Sequence, residues 1–195
     1  MIDKKIIKSK LTTKILGRNI DIYDIIDSTQ TKIKKEENIK EGTVIIAEEQ
    51  TKGKGTHGRV WFTDSKYKNI AMSFVLFPNC NVNKFKSLTL IIANCITETF
   101  LKLYNIKLDI KVPNDIMANS RKIGGILTET RIQNEEVKRL YIGIGINILQ
   151  EKFNDNIKDI ASSIYNEFNI KCSREDIIAS ILNIFETKYL KILED

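Results

Sequence analysis

The sequence predicts an α+β domain in which helices pack on one face of a mixed, mostly antiparallel sheet. Apolar runs with strand character occupy residues 43–50 and 69–77, and a long amphipathic pattern follows at residues 84–104. Three further strand-like runs lie between residues 106 and 148, joined by turns too short for parallel crossovers. With 195 residues and no linker or repeat, we expect a single domain spanning residues 1–195.

The amino-terminal elements follow from local patterns. Residues 14–26 alternate apolar and polar around Gly17, which predicts a strand, a turn and a second strand. Ser28 and its neighbours are good N-cap residues for a Lys- and Glu-rich helix that we expect to reach about residue 38. The apolar runs at 43–50 and 69–77 then flank a glycine-rich loop, a position where sites often lie.

The carboxy-terminal elements are predicted in the same way. Apolar residues recur every three or four positions across residues 84–104, which indicates a long helix. Residues 106–112, 122–132 and 137–148 form the three strand-like runs. Ser173 followed by Asp176 resembles a capping box that opens a last amphipathic helix.

Composition excludes several classes of protein. The chain is 42% hydrophobic and 29% charged, values typical of a soluble globular protein. Its net charge of +6 comes from lysines spread along the chain, so we expect no DNA partner. The three cysteines are widely spaced and indicate neither a disulfide framework nor a zinc site. No apolar run approaches about 18 residues, so we expect no membrane partner and a cytoplasmic location.

The glycine-rich loop, GKGTHGR at residues 53–59, allows three interpretations. A metal or catalytic site on His57 lacks companion ligands or a nucleophile, so we expect no metal ligands here. An ordinary hairpin turn is a second interpretation. The third is an anion-binding loop, in which the glycines let the backbone approach a phosphate and Lys54 and Arg59 supply charge. The loop matches neither the Walker A motif nor the dinucleotide-binding GxGxxG motif.

Two more segments favour an anion site. KVPND at residues 111–115 ends a predicted strand with a lysine, turns at Asn114-Asp115, and is followed by Lys122. A common solvated turn is the alternative interpretation of this segment. In YIGIGINI, residues 141–148, glycines inside a strand indicate close approach of a ligand or of another backbone.

Together these motifs resemble the catalytic domain of biotin-protein ligases. IDSTQ, EEQTKGKGTHGRVWF, NIAMSF, KVPNDIMANSRKIGGILTE and IGIGIN occur in the order and spacing of that family, over about residues 15 to 190. The resemblance implies the class II synthetase-like fold of biotin and lipoate ligases and a biotin-[acetyl-CoA-carboxylase] ligase activity. It implies that biotin and ATP, with Mg²⁺, form biotinyl-5'-AMP, and that the biotinyl group passes to a lysine of a carboxylase's biotin carboxyl carrier domain.

The resemblance also implies the site residues. The implied biotin site consists of Ser28, Thr29, Gln30, Gln50, Gly53, Lys54, Gly55, Thr56, Lys111, Gly125 and Gly143. The implied ATP and adenylate site consists of Lys54, Arg59, Trp61, Asn114, Lys122 and Asn147. The expected catalytic residues are Lys111, Arg59, Lys122 and, as our own hypothesis for the base of the second step, Asp115.

The sequence departs from the family pattern at several positions. Thr56 stands where a second loop arginine is common, which predicts leakage of biotinyl-AMP. Val112 replaces a usual tryptophan, and Gln30 stands where asparagine is common. We expect neither an N-terminal DNA-binding winged helix nor a C-terminal SH3-like domain. An exposed sheet edge would allow a homodimer. The alternative functions are a non-catalytic biotin- or adenylate-binding module and a lipoate-type acyl transferase.

Overall fold

The computed structural model of the chain describes residues 1–63 and 66–194. Within these ranges the chain forms eight β-strands and five α-helices. The strands are β1 (Ile20–Ile26), β2 (Val44–Gln50), β3 (Ile70–Leu76), β4 (Cys80–Asn81), β5 (Asp109–Lys111), β6 (Asp115–Ala118), β7 (Arg121–Gln133) and β8 (Glu136–Ile146). The helices are α1 (Lys4–Lys10), α2 (Thr29–Lys35), α3 (Leu88–Tyr104), α4 (Ile164–Phe168) and α5 (Arg174–Glu194). None of the helices in the described part has the length and apolar character to cross a membrane.

The strands form one mixed sheet. Its order is β1-β2-β3-β8-β7-β6-β5, and β4 pairs with the first two residues of β8. Strands β1 and β2 are parallel because α2 connects them as a crossover, whereas the remaining neighbouring pairs are antiparallel. The predicted fold class is therefore confirmed, including the antiparallel arrangement of the strands after residue 106.

The main core lies between one face of the sheet and the two long helices. Strand residues alternate, so that Phe74 of β3 points to α5, where its ring centroid is 5.4 Å from that of Phe185. On the opposite face, Ile33 of α2 packs with Ile45 and Val75 in a smaller cluster. The second face is therefore only partly covered by a helix.

A buried ion pair connects α5 to the sheet. Arg174 Nη1 lies 2.5 Å from Glu48 Oε2, and the two side chains are 8% and 0% exposed. The backbone N–H of Ile2 donates to the other oxygen of Glu48. Because two donors from distant segments satisfy this carboxylate, the pair holds the amino terminus and α5 against β2.

The prediction of a strand before the turn at Gly17 is wrong. The carboxylate of Glu186 in α5 accepts hydrogen bonds from the backbone N–H groups of residues 14–16. These N–H groups bind a side chain and do not pair with a neighbouring strand, so β1 begins only at Ile20. The apolar alternation in this segment instead reflects Leu16, which is buried in the core.

Other boundaries differ by a few residues. Helix α2 ends at Lys35, short of residue 38, and α3 begins at Leu88 rather than at residue 84. The predicted capping of the last helix is confirmed, since the Asp176 N–H donates to Ser173 Oγ at 3.2 Å. Asp115, predicted as a turn residue, begins β6. The short elements α1, β4 and α4 were not predicted.

Candidate active site

The site lies on the sheet face that α2 covers in part. In β8 the isoleucines at 142, 144 and 146 enter the main core, so Gly143 and Gly145 face the other side. Gly125 of β7 is the register partner of Gly145. These glycines leave room above the sheet for the first of two adjoining cavities, as expected from glycines inside strands.

The first cavity extends from the glycine-rich loop to the start of α2. Ser28, the N-cap of α2, Thr29 and Gln30 form its closed end, where they are 1%, 4% and 3% exposed. The Thr29 N–H donates to Gln50 Oε1 at 2.8 Å, and Thr29 Oγ1 lies 2.9 Å from Ser73 Oγ. This end of the cavity is therefore polar and closed to solvent.

Gln30 also connects the cavity to a charged pair. Its Nε2 donates to Glu129 Oε2 at 2.9 Å, and Lys34 Nζ lies 2.7 Å from Glu129 Oε1. Partial burial by itself raises the pKa of Glu129, but the hydrogen bonds from Lys34 and Gln30 outweigh it and lower that pKa below its usual value. Glu129 is therefore ionised at neutral pH.

The glycine-rich loop is folded as a tight hairpin over the first cavity. The Gly55 N–H donates to the Arg59 carbonyl at 2.8 Å, and the Trp61 N–H donates to the Gly53 carbonyl at 3.0 Å. His57 is exposed, with a left-handed φ of 55°. Among residues 1–63 and 66–194, no group of three His, Cys, Asp or Glu side chains could hold a metal. The loop is thus a hairpin, and this geometry is compatible with the interpretation of the same loop as an anion-binding segment.

Trp61 separates the two cavities and lines both. Its ring lies so close to the sheet that a Cβ on Gly145 would be 2.4 Å from Cε2, and one on Gly125 would be 3.1 Å from Cζ3. The ammonium of Lys122 is 5.9 Å from the ring centroid. The ring position therefore depends on the absence of side chains at these two strand positions.

The second cavity is larger, about 390 Å³, and it is lined by three cations, by the carboxylates of Asp115 and Asp159, and by apolar side chains. Arg59, Lys111 and Lys122 reach it from the loop, β5 and β7. Asp115 Oδ1 is 2.6 Å from Lys122 Nζ, a charge contact without the alignment of a hydrogen bond. Cations from three separate segments thus surround a cavity large enough for a small-molecule ligand.

Comparison with known proteins identifies the family. The profile of the biotin/lipoate A/B protein ligase family matches residues 22–147, which is more than half of the chain. The chain belongs to this family. A bifunctional ligase/repressor BirA from Bacillus subtilis is 36% identical over 187 residues, which cover 94% of this chain and 57% of that protein. The chain therefore spans little more than half the length of this relative.

Solved structures of the family share the fold. The biotin protein ligase of Aquifex aeolicus in complex with biotin and ATP superposes with a TM-score of 0.78 at 29% identity, covering 91% of this chain and 73% of the other. The Leishmania major biotin protein ligase in complex with biotinyl-5-AMP gives a TM-score of 0.68 at 25% identity, covering 89% and 76%. The architecture around both cavities is thus that of this ligase family.

The structure brings most of the predicted site residues together. The first cavity is lined by Ser28, Thr29, Gln30, Gln50, Lys54, Gly55, Thr56, Asn114, Gly125 and Gly143. The second is lined by Lys111, Asp115 and Asn147, and both are lined by Arg59, Trp61 and Lys122. Gly53 lines neither cavity within the described residues; its carbonyl instead holds the Trp61 backbone. Lys111, expected beside biotin, lies in the second cavity, and Asn114, expected beside the nucleotide, lies in the first.

Several lining residues were not predicted from the sequence. Ser73 of β3 contacts Thr29 at the closed end of the first cavity. Phe153 and Ile157, from the irregular segment between β8 and α4, line the second cavity. That segment has neither helical nor strand periodicity, so no local signal marks these residues. Ser73 is a small polar residue within an apolar strand, which is a signal that could have indicated a buried polar site.

Proposed function

We propose that the chain is an ATP-dependent biotin-protein ligase of the cytoplasm. It activates biotin as biotinyl-5'-AMP and transfers the biotinyl group to a lysine of the biotin carboxyl carrier domain of a biotin-dependent carboxylase. In this proposal biotin occupies the first cavity, with its ureido ring at the polar end formed by Ser28, Thr29 and Gln30. ATP occupies the second cavity, with the adenine beside Trp61.

The observation that carries the proposal is the set of three cations that line the second cavity, two of which also line the first. Arg59 and Lys122 line both cavities, and Lys111 lines the second. The biotin carboxylate and the triphosphate are both anionic, so their approach requires positive groups fixed in place before the reaction. Arg59 and Lys122, at the junction of a closed polar pocket and a nucleotide-sized cavity, and Lys111, on the wall of that cavity, meet this requirement.

The first step is attack of a biotin carboxylate oxygen on the α-phosphorus of ATP. The bond from that phosphorus to the bridging oxygen breaks, and pyrophosphate leaves with the electron pair. Lys111, Lys122 and Arg59 stabilise the negative charge that builds on the phosphate oxygens. The glycine-rich hairpin lies over the first cavity and shields the product from water.

In the second step the acceptor lysine attacks the acyl carbon, the acyl–oxygen bond breaks, and AMP leaves. A lysine with a pKa of about 10.4 is neutral in roughly one molecule in a few thousand at pH 7, so a carboxylate that accepts its proton accelerates the step. Asp115 is the proposed acceptor of that proton. It lines the second cavity beside Lys122 and is partly exposed, so an entering lysine can approach it.

Mg²⁺ is proposed to enter with ATP and to be held mainly by the phosphates. Magnesium usually keeps several waters and binds one or two carboxylates together with substrate phosphates, so it needs no cage of protein ligands. Asp159 lines the second cavity and provides a carboxylate of this kind. The ion would neutralise charge on the departing pyrophosphate.

The decisive experiment is biotinylation of an acceptor domain in a purified system. The chain is incubated with ATP, Mg²⁺, biotin and a carrier domain, and the acceptor is analysed by mass spectrometry. We expect the mass gain of one biotinyl group on the acceptor lysine, and no gain when lipoate replaces biotin. Biotin binding without any mass gain would instead favour a non-catalytic module, and gain with lipoate alone would favour an acyl transferase.

A further inference from the structure

The closed end of the first cavity contains one buried polar atom that still needs a partner. Gln30 is 3% exposed, and no group in the described part of the chain hydrogen-bonds its Oε1. The neighbouring amide differs, because Gln50 Oε1 already accepts from both the N–H and the hydroxyl of Thr29. A buried acceptor without a donor costs free energy, and a ligand that donates a hydrogen bond to Gln30 Oε1 would remove that cost.

The orientation of the Gln30 amide is determined by Glu129. An ionised carboxylate can only accept hydrogen bonds, so the NH₂ group of Gln30 must face it and the oxygen must face away. Lys34 binds the other oxygen of Glu129 and holds the carboxylate in place. The carbonyl oxygen therefore has a defined direction that does not depend on an arbitrary choice of amide rotamer.

Gly143 provides the space for that oxygen. A Cβ at residue 143 would lie 2.8 Å from Gln30 Oε1, closer than side-chain contacts allow, and 3.4 Å from Ser73 Oγ. The oxygen thus lies directly above the strand backbone, at the floor of the cavity. Three elements form this arrangement. Helix α2 carries the amide, β7 carries the carboxylate, and the glycine of β8 leaves space for the amide oxygen.

We infer that Glu129 is a positioning residue that acts through Gln30 to make the closed end of the pocket a hydrogen-bond acceptor. The pocket then selects a head group that carries an N–H donor, such as a cyclic urea, over one that carries none, such as a dithiolane. This inference rests on the proposed function, because it assigns that head group to the first cavity. It predicts that one amide oxygen discriminates between biotin and lipoate.

The test compares ligands with and without N–H donors in Glu129→Gln. Binding is followed by isothermal titration and by fluorescence of Trp61, the chain's one tryptophan, which lines the cavity. A glutamine at 129 can donate as well as accept, so the Gln30 amide loses its defined direction. We expect the dissociation constants of biotin and desthiobiotin to rise together by about three- to tenfold, while that of lipoate stays unchanged.

A double-mutant cycle separates positioning from a general structural effect. Gln30→Met removes the acceptor at similar volume and should weaken biotin binding by about tenfold. Glu129→Gln added to Gln30→Met should cause no further loss, because Glu129 acts only through the amide. Glu136→Gln, at the far end of the same hairpin, is the matched control and should bind biotin like the wild type.

Three outcomes distinguish the two proposals. If wild-type protein binds neither biotin nor desthiobiotin, the proposed function fails. If wild type binds biotin but Glu129→Gln binds it equally well, the positioning role is refuted. It is also refuted if the losses of biotin affinity caused by Gln30→Met and Glu129→Gln add in the double variant. Equal weakening of biotin and lipoate would also refute it, since a distorted pocket would affect both ligands.

Discussion

Replacing Gly145 with alanine places a methyl group where the Trp61 ring lies. The new Cβ would be 2.4, 2.7 and 2.8 Å from three atoms of the indole. Gly145 has no left-handed φ, so alanine can adopt its backbone conformation and the contact with Trp61 is the direct consequence. The ring is rigid, so relief requires the whole side chain to move.

The size of that movement follows from the distances. Ordinary carbon contacts begin near 3.4 Å, so the ring must shift by about 1 Å. Overpacking of this kind typically costs about 1–3 kcal/mol, and each kcal/mol lowers the unfolding midpoint of a domain this size by about 2–4 °C. Because Trp61 lines both cavities, a shift of about 1 Å should also disturb ATP positioning and slow adenylate formation by about tenfold or more.

Gly125→Ala provides a graded comparison. Its Cβ would approach Trp61 only to 3.1 Å, so the ring needs to move by a few tenths of an ångström. We expect tryptophan emission, thermal midpoint and the ATP-pyrophosphate exchange rate to change more in Gly145→Ala than in Gly125→Ala. Unchanged emission and exchange in Gly145→Ala, or the reverse order of the two variants, would refute the assigned position of Trp61.

Four further predictions address separate parts of the molecule. Asp115→Asn should slow transfer to the acceptor lysine by about a hundredfold while leaving adenylate formation near wild type; normal transfer in a stopped-flow assay would exclude it as the base. Thr56→Arg should slow release of biotinyl-AMP, and an identical off-rate would show that residue 56 does not retain the adenylate. Arg174→Met should lower the free energy of unfolding by about 3–5 kcal/mol, because it leaves Glu48 charged and buried, and urea titration would reveal a smaller loss if the pair contributes little. Burial raises the pKa of the Cys95 thiol to about 12, so the thiol stays protonated at pH 8 and should react with a disulfide reagent only in denaturant.

Much of the fold could be predicted because its signals are local. The helical stripe of α3 and the short turns after residue 106 involve residues only a few positions apart, and both predictions are confirmed. The strand expected before the turn at Gly17 does not form, for the opposite reason. Its N–H groups bind Glu186, about 170 residues away, and no local pattern contains that information.

The candidate site, like the fold, could be predicted only in part. The glycine-rich loop, KVPND and the glycines of β8 are recognisable as motifs, and the structure places most of them around two cavities. Spacing along the chain did not specify which cavity each residue lines; Lys111 lines the second and Asn114 the first. A side chain's direction depends on strand register and on the path of its neighbours, which spacing along the chain does not specify.

The sequence by itself determined the residue types: which segments are apolar at strand or helix spacing, which positions lack side chains, and where the cations and amides occur. Only the tertiary structure decided that Gln30 meets Glu129, 99 positions along the chain, and that Trp61 lies on Gly145. The physical reason is that hydrogen bonds and steric contacts act over a few ångströms. Their partners are therefore selected by sheet register and helix packing, which bring distant parts of the chain together.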